Sequence, residues 1–463
     1  MINEKLDRAV EALRPQVIDM LQRWIRIPSE KQPAEGEALF GQPLKTMLDT
    51  ALSDAAAMGF KTRNFDYYAG DVEMGDSGEV MGVVAHLDVV PAGDGWVHDP
   101  FGAQMEGDTV YGRGTTDDKG PAIAALLAMK AVQDAGVPLS RRVRLILGCD
   151  EECAMQDMEY YRKHADMPAF GFSPDADYPV INTEKGICSI DLTADLSGEE
   201  GAEYPVYSIT AGERRNVIPG LACAEIGCAD LDALRAKLAA TDYDVAAEPL
   251  ENGRVRLVST GVTGHAAFPY HAKNAAGQLL LALAAIGAGR GSRALIARLA
   301  ETIGVTYDGA GLGVDVKDGI SGELTLNLGV VRMTPDHFSA TLDIRYPVLA
   351  NAKMIARIIG MRLAEAGVTA TLTGDSEPLH VPADSFIVRE LLKVYSEITG
   401  KESYPVAIGG GTYSREMVNT VAFGCNFPGE KDLAHQAEEF TTISKMMLNI
   451  RIFAYAIAAL AGK

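Results

Sequence analysis

Apolar residues along the first third of the chain fall into short runs separated by helical patterns. Met81–Ala85 (MGVVA), Val143–Leu147 (VRLIL) and Ala169–Phe172 (AFGF) are uninterrupted apolar runs of strand length. Between the first two, Pro121–Ala135 carries apolar residues at helical spacing behind a Gly-Pro start, which predicts a helix with proline in its first turn. Strand–helix–strand alternation of this kind predicts an α/β fold, a mostly parallel sheet flanked by helices. The pattern changes after residue 183. Strand-like runs at Tyr207–Thr210, Arg254–Ser259, Glu323–Arg332 and Thr341–Arg345 surround helical segments at Ala275–Ile286 and Ala352–Ala366, the signature of an inserted α+β domain. From about residue 381 the first pattern returns: a helix at Ser385–Thr399, a glycine-rich turn at Ile408–Gly411, a strand near Val418–Phe423, and a closing helix. The expected organisation is a discontinuous domain of residues 1–183 and 381–463 with residues 184–380 inserted.

Each of the three apolar runs empties into acids and histidines. MGVVA leads to His86 and Asp88, VRLIL to Asp150, Glu151 and Glu152, and AFGF to Asp175 and Asp177. Open α/β sheets bind ligands at the carboxyl ends of their strands, so these side chains are expected to share one rim. His86 and Asp88, two apart at a strand end, face the same side, and Asp88 is placed to hold the second ring nitrogen of a ligating His86. Asp117 follows a glycine-rich turn, and a carboxylate using both oxygens bridges two metal ions about 3.5–4 Å apart. Three adjacent acids behind a buried strand repel one another unless cations neutralise them. Adjacent side chains point apart, so one of Glu151 and Glu152 can bind metal while the other stays free as a general base. His435 lies far along the chain in LAHQAEE.

Two histidines and three carboxylates form a ligand set suited to zinc, manganese or cobalt. Two divalent ions against three carboxylates leave one positive charge, which a bridging hydroxide cancels. The free glutamate could then take a proton from that water and hand it to a leaving amine.

Charge and composition narrow the field. With 42 basic and 63 acidic residues, a net charge of −21 repels nucleic acid and anionic membranes. Six scattered cysteines do not outline a disulfide framework and read as reduced thiols. The first twenty residues lack the apolar core of a signal peptide, and Ile452–Ala461 is too short an apolar stretch to cross a bilayer, so a docked helix and a cytoplasmic location are expected.

HLDVVPAGDGW, YGRGTTDDKGP, DEE, SPDADYP, GHAAFP, IGGGTYSR and AHQAEE, in this order, resemble the aminoacylase/carboxypeptidase family of dinuclear metallopeptidases, and within it the PepV-type dipeptidase branch. The resemblance implies a dipeptidase holding two divalent ions, zinc first and manganese or cobalt as alternatives. Asp117 would bridge them, His86 and Asp175 would complete one shell, and Glu152 and His435 the other. Glu151 would be the general base, Asp88 would orient His86, and the Asp117–Asp118 peptide would be cis. The insertion would be a lid whose Asn216 and His265 stabilise the oxyanion. Arg345 and the backbone N–H groups of Gly409, Gly410 and Gly411 would hold the C-terminal carboxylate of a small peptide. A lid long enough to supply His265 in cis implies a monomer. An N-acyl-amino-acid deacylase with the same metal site is the alternative.

Overall fold

The computed structural model describes residues 3–196, 202–251, 253–431 and 433–462. The chain divides into two compact units. The first comprises Met1–Thr183, His380–Val406 and Gly411–Lys463, and the second Glu184–Leu379 with Ala407–Gly410. The short return of 407–410 to the second unit was not expected; it separates Gly409 and Gly410 from Gly411.

In the first unit the sheet runs in the order Lys61–Phe65, Ala69–Met74, Arg142–Gly148, Val80–His86, Phe170–Ser173, Thr420–Ala422, Val180–Glu184. The four central strands are mutually parallel, and pairing turns antiparallel on both sides of them. The parallel core is the part that the apolar runs announced, because strands buried on both faces read as continuous hydrophobic sequence. All seven residues of Val80–His86 are buried. In register, His86 lies opposite Gly148, which puts the ends of these two strands and the loops after them side by side.

Helix Lys119–Asp134 is buried almost all round, and its alanines let it lie close to helix Ile443–Ala461. That last helix is longer than the apolar stretch suggested. The Thr442 side chain caps it by accepting from Lys445 N, and Met446, Met447 and Ile450 extend its buried side. At 19 residues and a mean hydropathy of 1.4 it is long and apolar enough to cross a membrane, yet most of it is buried against neighbouring helices of the same unit, the pattern of a core helix.

The second unit is built on an antiparallel sheet in the order Val245–Pro249, Arg254–Thr260, Leu221–Gly227, Val206–Ala211, Thr325–Met333, His337–Tyr346, Gly186–Asp195, Thr369–Ser376. Helices Leu231–Ala239, Ala275–Ala285, Arg293–Thr302 and Ala352–Leu363 supply the other half of its core. Period-two alternation decides the faces. Cys188, Ile190, Leu192 and Ala194 point into the core, while Ser189, Asp191, Asp343 and Arg345 lie on the opposite, polar side.

Candidate metal centre

Four loops bring acids and imidazoles together at the rim of the first unit. His86, the last residue of its strand, is fully buried. Its Nε2 stands 3.1 Å from Asp117 Oδ1 and 3.6 Å from Asp175 Oδ2. His435 reaches the same carboxylate from the other side, with Nε2 3.1 Å from Asp117 Oδ2 and 3.0 Å from Glu152 Oε1. Asp117 therefore stands between two nests, with one oxygen turned to each. His435 adopts a left-handed backbone (φ 62°), a conformation that costs a non-glycine residue roughly 1–2 kcal/mol.

Two ligand atoms on a tetrahedral zinc with bonds of 2.0–2.1 Å are about 3.3–3.4 Å apart. The observed nitrogen-to-oxygen separations of 3.0–3.6 Å bracket that edge, and ligand atoms of His86, Asp117 and Glu152 all lie within 4.8 Å of one another. Donor type and spacing both fit a divalent cation at this cluster.

The electrostatics fit as well. Burial opposes a charged His86, but Asp117, Asp175 and Asp88 outweigh it and push its pKa well up. Contacts with Asp117 and Glu152 raise His435 to about 11. Burial raises Glu152 to about 7, with Asp117 adding repulsion. Glu151 is pushed well above the carboxylate range by burial and by Asp175, Glu152 and Asp88, against the attraction of His86. Burial and mutual repulsion disfavour the charged carboxylates here, and a nearby cation offsets both.

Asp88 does more than was expected of it. The closest acceptor to His86 Nδ1 is the Asp88 backbone carbonyl at 2.9 Å, with the carboxylate at 3.4 Å. The carboxylate itself accepts from Glu151 N and Glu152 N. The Asp117–Asp118 peptide is cis, and Asp118 Oδ2 accepts from His86 N at 2.9 Å.

Glu439 went unnoticed in the sequence. Fully buried, it accepts from Gly114 N (3.1 Å), Thr116 N (2.8 Å), Thr116 Oγ1 (2.9 Å) and Asp117 N (3.3 Å), and pairs with Arg113 Nη1 at 2.7 Å. It thus ties the Asp117 loop to the His435 loop. The available signal was an acid four residues after the histidine, in a segment otherwise read only for His435.

The remaining candidates divide between the units. Gly411 is in the first; Asn216, His265, Arg345, Gly409 and Gly410 are in the second. Within the second unit Asn216 and His265 are neighbours: Val217 pairs with His265, and Asn216 O accepts from Ala266 N at 2.9 Å. His265 Nδ1 accepts from Ala267 N at 3.2 Å, which places the ring proton of the neutral imidazole on Nε2 as a donor. Asn216 also lines an open cavity of about 500 Å³ with Arg214, Arg215, Asp191 and Thr341. Arg345 is buried and already engaged. Its Nε and Nη2 donate to Asp343 at 2.7 and 3.2 Å, and Nη1 donates to Gly409 O at 3.0 Å. One N–H on each terminal nitrogen remains beyond these bonds. Asp343, like Glu439, carried no signal that the sequence reading used.

The sequence profile of peptidase family M20/M25/M40 matches residues 82–459. The chain is 37% identical over 463 residues to a Bacillus subtilis (strain 168) protein named "Putative dipeptidase YtjP", covering 98% of this chain and 99% of that one. It is 32% identical over 455 residues to the Beta-Ala-Xaa dipeptidase of Lactobacillus delbrueckii subsp. lactis, covering 96% of each. Among solved structures, human carnosine dipeptidase 1 is similar with a TM-score of 0.62 at 14% identity, over 98% of each chain. The aminoacylhistidine dipeptidase of Vibrio alginolyticus gives a TM-score of 0.59 at 15% identity, over 97% of each. These two share the fold. With the profile spanning most of the chain and full-length relatives above 30% identity, the protein is a member of peptidase family M20/M25/M40.

Proposed function

We propose that this chain is a metal-dependent dipeptidase that hydrolyses dipeptides or very short peptides with a free C-terminal carboxylate. One observation carries the reading: Asp117 presents one oxygen beside His86 and Asp175 and the other beside His435 and Glu152. Those five residues would hold two divalent ions, zinc first and manganese or cobalt as alternatives. When bound, such ions polarise the scissile carbonyl and acidify water. The dipeptide preference is supported by the names of the full-length relatives.

The chain's own groups supply the rest. Glu151, held beside the cluster by its backbone bond to Asp88, takes the proton of the attacking water and delivers it to the leaving amine. His265, with its proton on Nε2, and Asn216 donate to the oxyanion as the carbonyl becomes tetrahedral. Arg345, with Gly409, Gly410 and Gly411, receives the terminal carboxylate. The inserted unit is long enough to supply His265 in cis, and on that ground we assign the enzyme as a monomer. Its six unpaired thiols fit a reducing cytoplasm.

A panel of free dipeptides, β-alanyl dipeptides and N-acyl amino acids, assayed with zinc and with manganese, tests the reading. Dipeptide hydrolysis that Glu151→Ala abolishes is expected. Turnover confined to N-acyl amino acids would assign the chain as a deacylase instead.

A further inference from the structure

Four consecutive backbone N–H groups, Cys149 to Glu152, are all taken by two buried carboxylates. Asp157 Oδ2 accepts from Cys149 N at 2.6 Å and Asp150 N at 2.9 Å. Asp88 accepts from Glu151 N at 3.2 Å and from Glu152 N at 3.0 Å, one on each oxygen. Asp157 lies in the first turn of helix Gln156–His164 and is completely buried. Its other oxygen accepts from Met158 N at 2.7 Å, and the buried Tyr413 hydroxyl donates to Oδ2. Tyr413 also stands edge-on to His86, with ring centroids 6.1 Å apart. Gly148 makes this contact possible, because a Cβ there would overlap both the Tyr413 hydroxyl and the Asp157 carboxylate.

The arrangement has a mechanical consequence. A turn carrying three adjacent acids relaxes by rotating its peptide planes, and each rotation re-aims the side chains on either side of it. Anchoring every amide of the turn removes that freedom. Asp157 is itself fixed, since three donors on one oxygen and a fourth on the other leave it a single orientation.

We propose that Asp157 and Tyr413 are positioning residues for the hydrolysis, holding the Cys149–Glu152 backbone so that Glu152 aims at the ion beside His435 while Glu151 stays free to move a proton. The proposal rests on the reading of Glu152 as a ligand and Glu151 as the base. Neither Asp157 nor Tyr413 touches substrate or metal in this scheme; both act through the turn.

The test uses the full chain and the variants Tyr413→Phe, Asp157→Asn and Glu152→Ala. Zinc affinities at the two sites are measured by competition with a chromogenic chelator, alongside kcat, KM and thermal unfolding. Tyr413→Phe removes one oxygen and keeps the ring, so it remains informative if Asp157→Asn does not fold. Glu152→Ala identifies which affinity belongs to the His435 side. In Tyr413→Phe that same affinity is expected to fall roughly 10–100-fold, as for other groups that orient ligands. The affinity on the His86 side stays, and kcat drops while KM holds. A lower melting temperature with both affinities and kcat at wild-type values would show a purely structural role and overturn the proposal. If Glu152→Ala leaves both sites intact, the ligand assignment itself is wrong and the proposal falls with it, a result recognisable from the reference variant alone.

Discussion

Exchanging Glu439 for glutamine perturbs the Asp117 loop without replacing any candidate ligand. The carboxylate is fully buried, with Oε2 on Arg113 at 2.7 Å and Oε1 on Thr116 N at 2.8 Å and Asp117 N at 3.3 Å. Glutamine has the same shape but turns one acceptor into a donor. Either its amide nitrogen faces the guanidinium, or it faces the backbone N–H groups of Gly114, Thr116 and Asp117. In both orientations donor meets donor, and Arg113 loses its counter-charge in the interior. Removing one partner of a buried pair costs about 3–5 kcal/mol. With a urea m-value of about 3 kcal/mol/M, the unfolding midpoint should fall by roughly 1–1.7 M. The chain has only two tryptophans, Trp24 and Trp96, both in the first unit, so tryptophan fluorescence, excited where tyrosine does not absorb, reports that unit's unfolding. Adding Arg113→Met should make the double variant cost less than the sum of the singles, since the stranded cation is gone. An unchanged midpoint in Glu439→Gln, or strict additivity with Arg113→Met, would refute the reasoning.

Three further outcomes are expected. Glu151→Ala should lower kcat by about 10²–10⁴-fold while both zinc affinities stay at wild type, since it removes a proton carrier and no ligand; a wild-type rate would exclude Glu151 as the base. Asp343→Asn should loosen Arg345, raising KM for a free dipeptide roughly tenfold relative to its C-terminal amide, equivalent to about 1.4 kcal/mol; equal effects on the two substrates would remove Arg345 from carboxylate binding. Chelation with dipicolinate should abolish hydrolysis and destabilise the fluorescence-reported unit, because an ion held at a hundredfold its Kd adds about 2.7 kcal/mol; an identical urea midpoint with and without zinc would count against the two nests.

The sequence disclosed what periodicity and adjacency can carry. MGVVA and VRLIL became Val80–His86 and Arg142–Gly148, each one residue longer at both ends, and their parallel pairing brought His86 level with Gly148 and the acids that follow it. The antiparallel edge was not legible: Lys61–Phe65 (KTRNF) is too polar to stand out, because an edge strand buries little. The last helix was read short because Ser444, Lys445, Asn449 and Arg451 interrupt its apolar pattern, although Asn449 is buried and donates to Cys425 O. The residues missed at the site share one trait. Asp157, Glu439 and Asp343 act on backbone amides or on another side chain, and sequence shows residue type and spacing but not which amides the fold leaves unpaired.

These hidden acids explain how the site keeps its ligands available. Every backbone N–H in a tight loop needs an acceptor, and the carboxylates that would bind metal stand at the same rim as these donors. Asp88 and Asp157 take the donors of Cys149–Glu152, and Glu439 takes those of Gly114, Thr116 and Asp117. With those donors occupied from behind, Asp117, Glu152 and Asp175 turn their oxygens to His86 and His435. A carboxylate that accepts backbone N–H bonds is a weaker ligand, because those bonds already stabilise its charge. The rear acids therefore matter to metal affinity through the donors they remove, and grafting the five ligands alone onto a similar sheet would return those donors to the front carboxylates and weaken both nests.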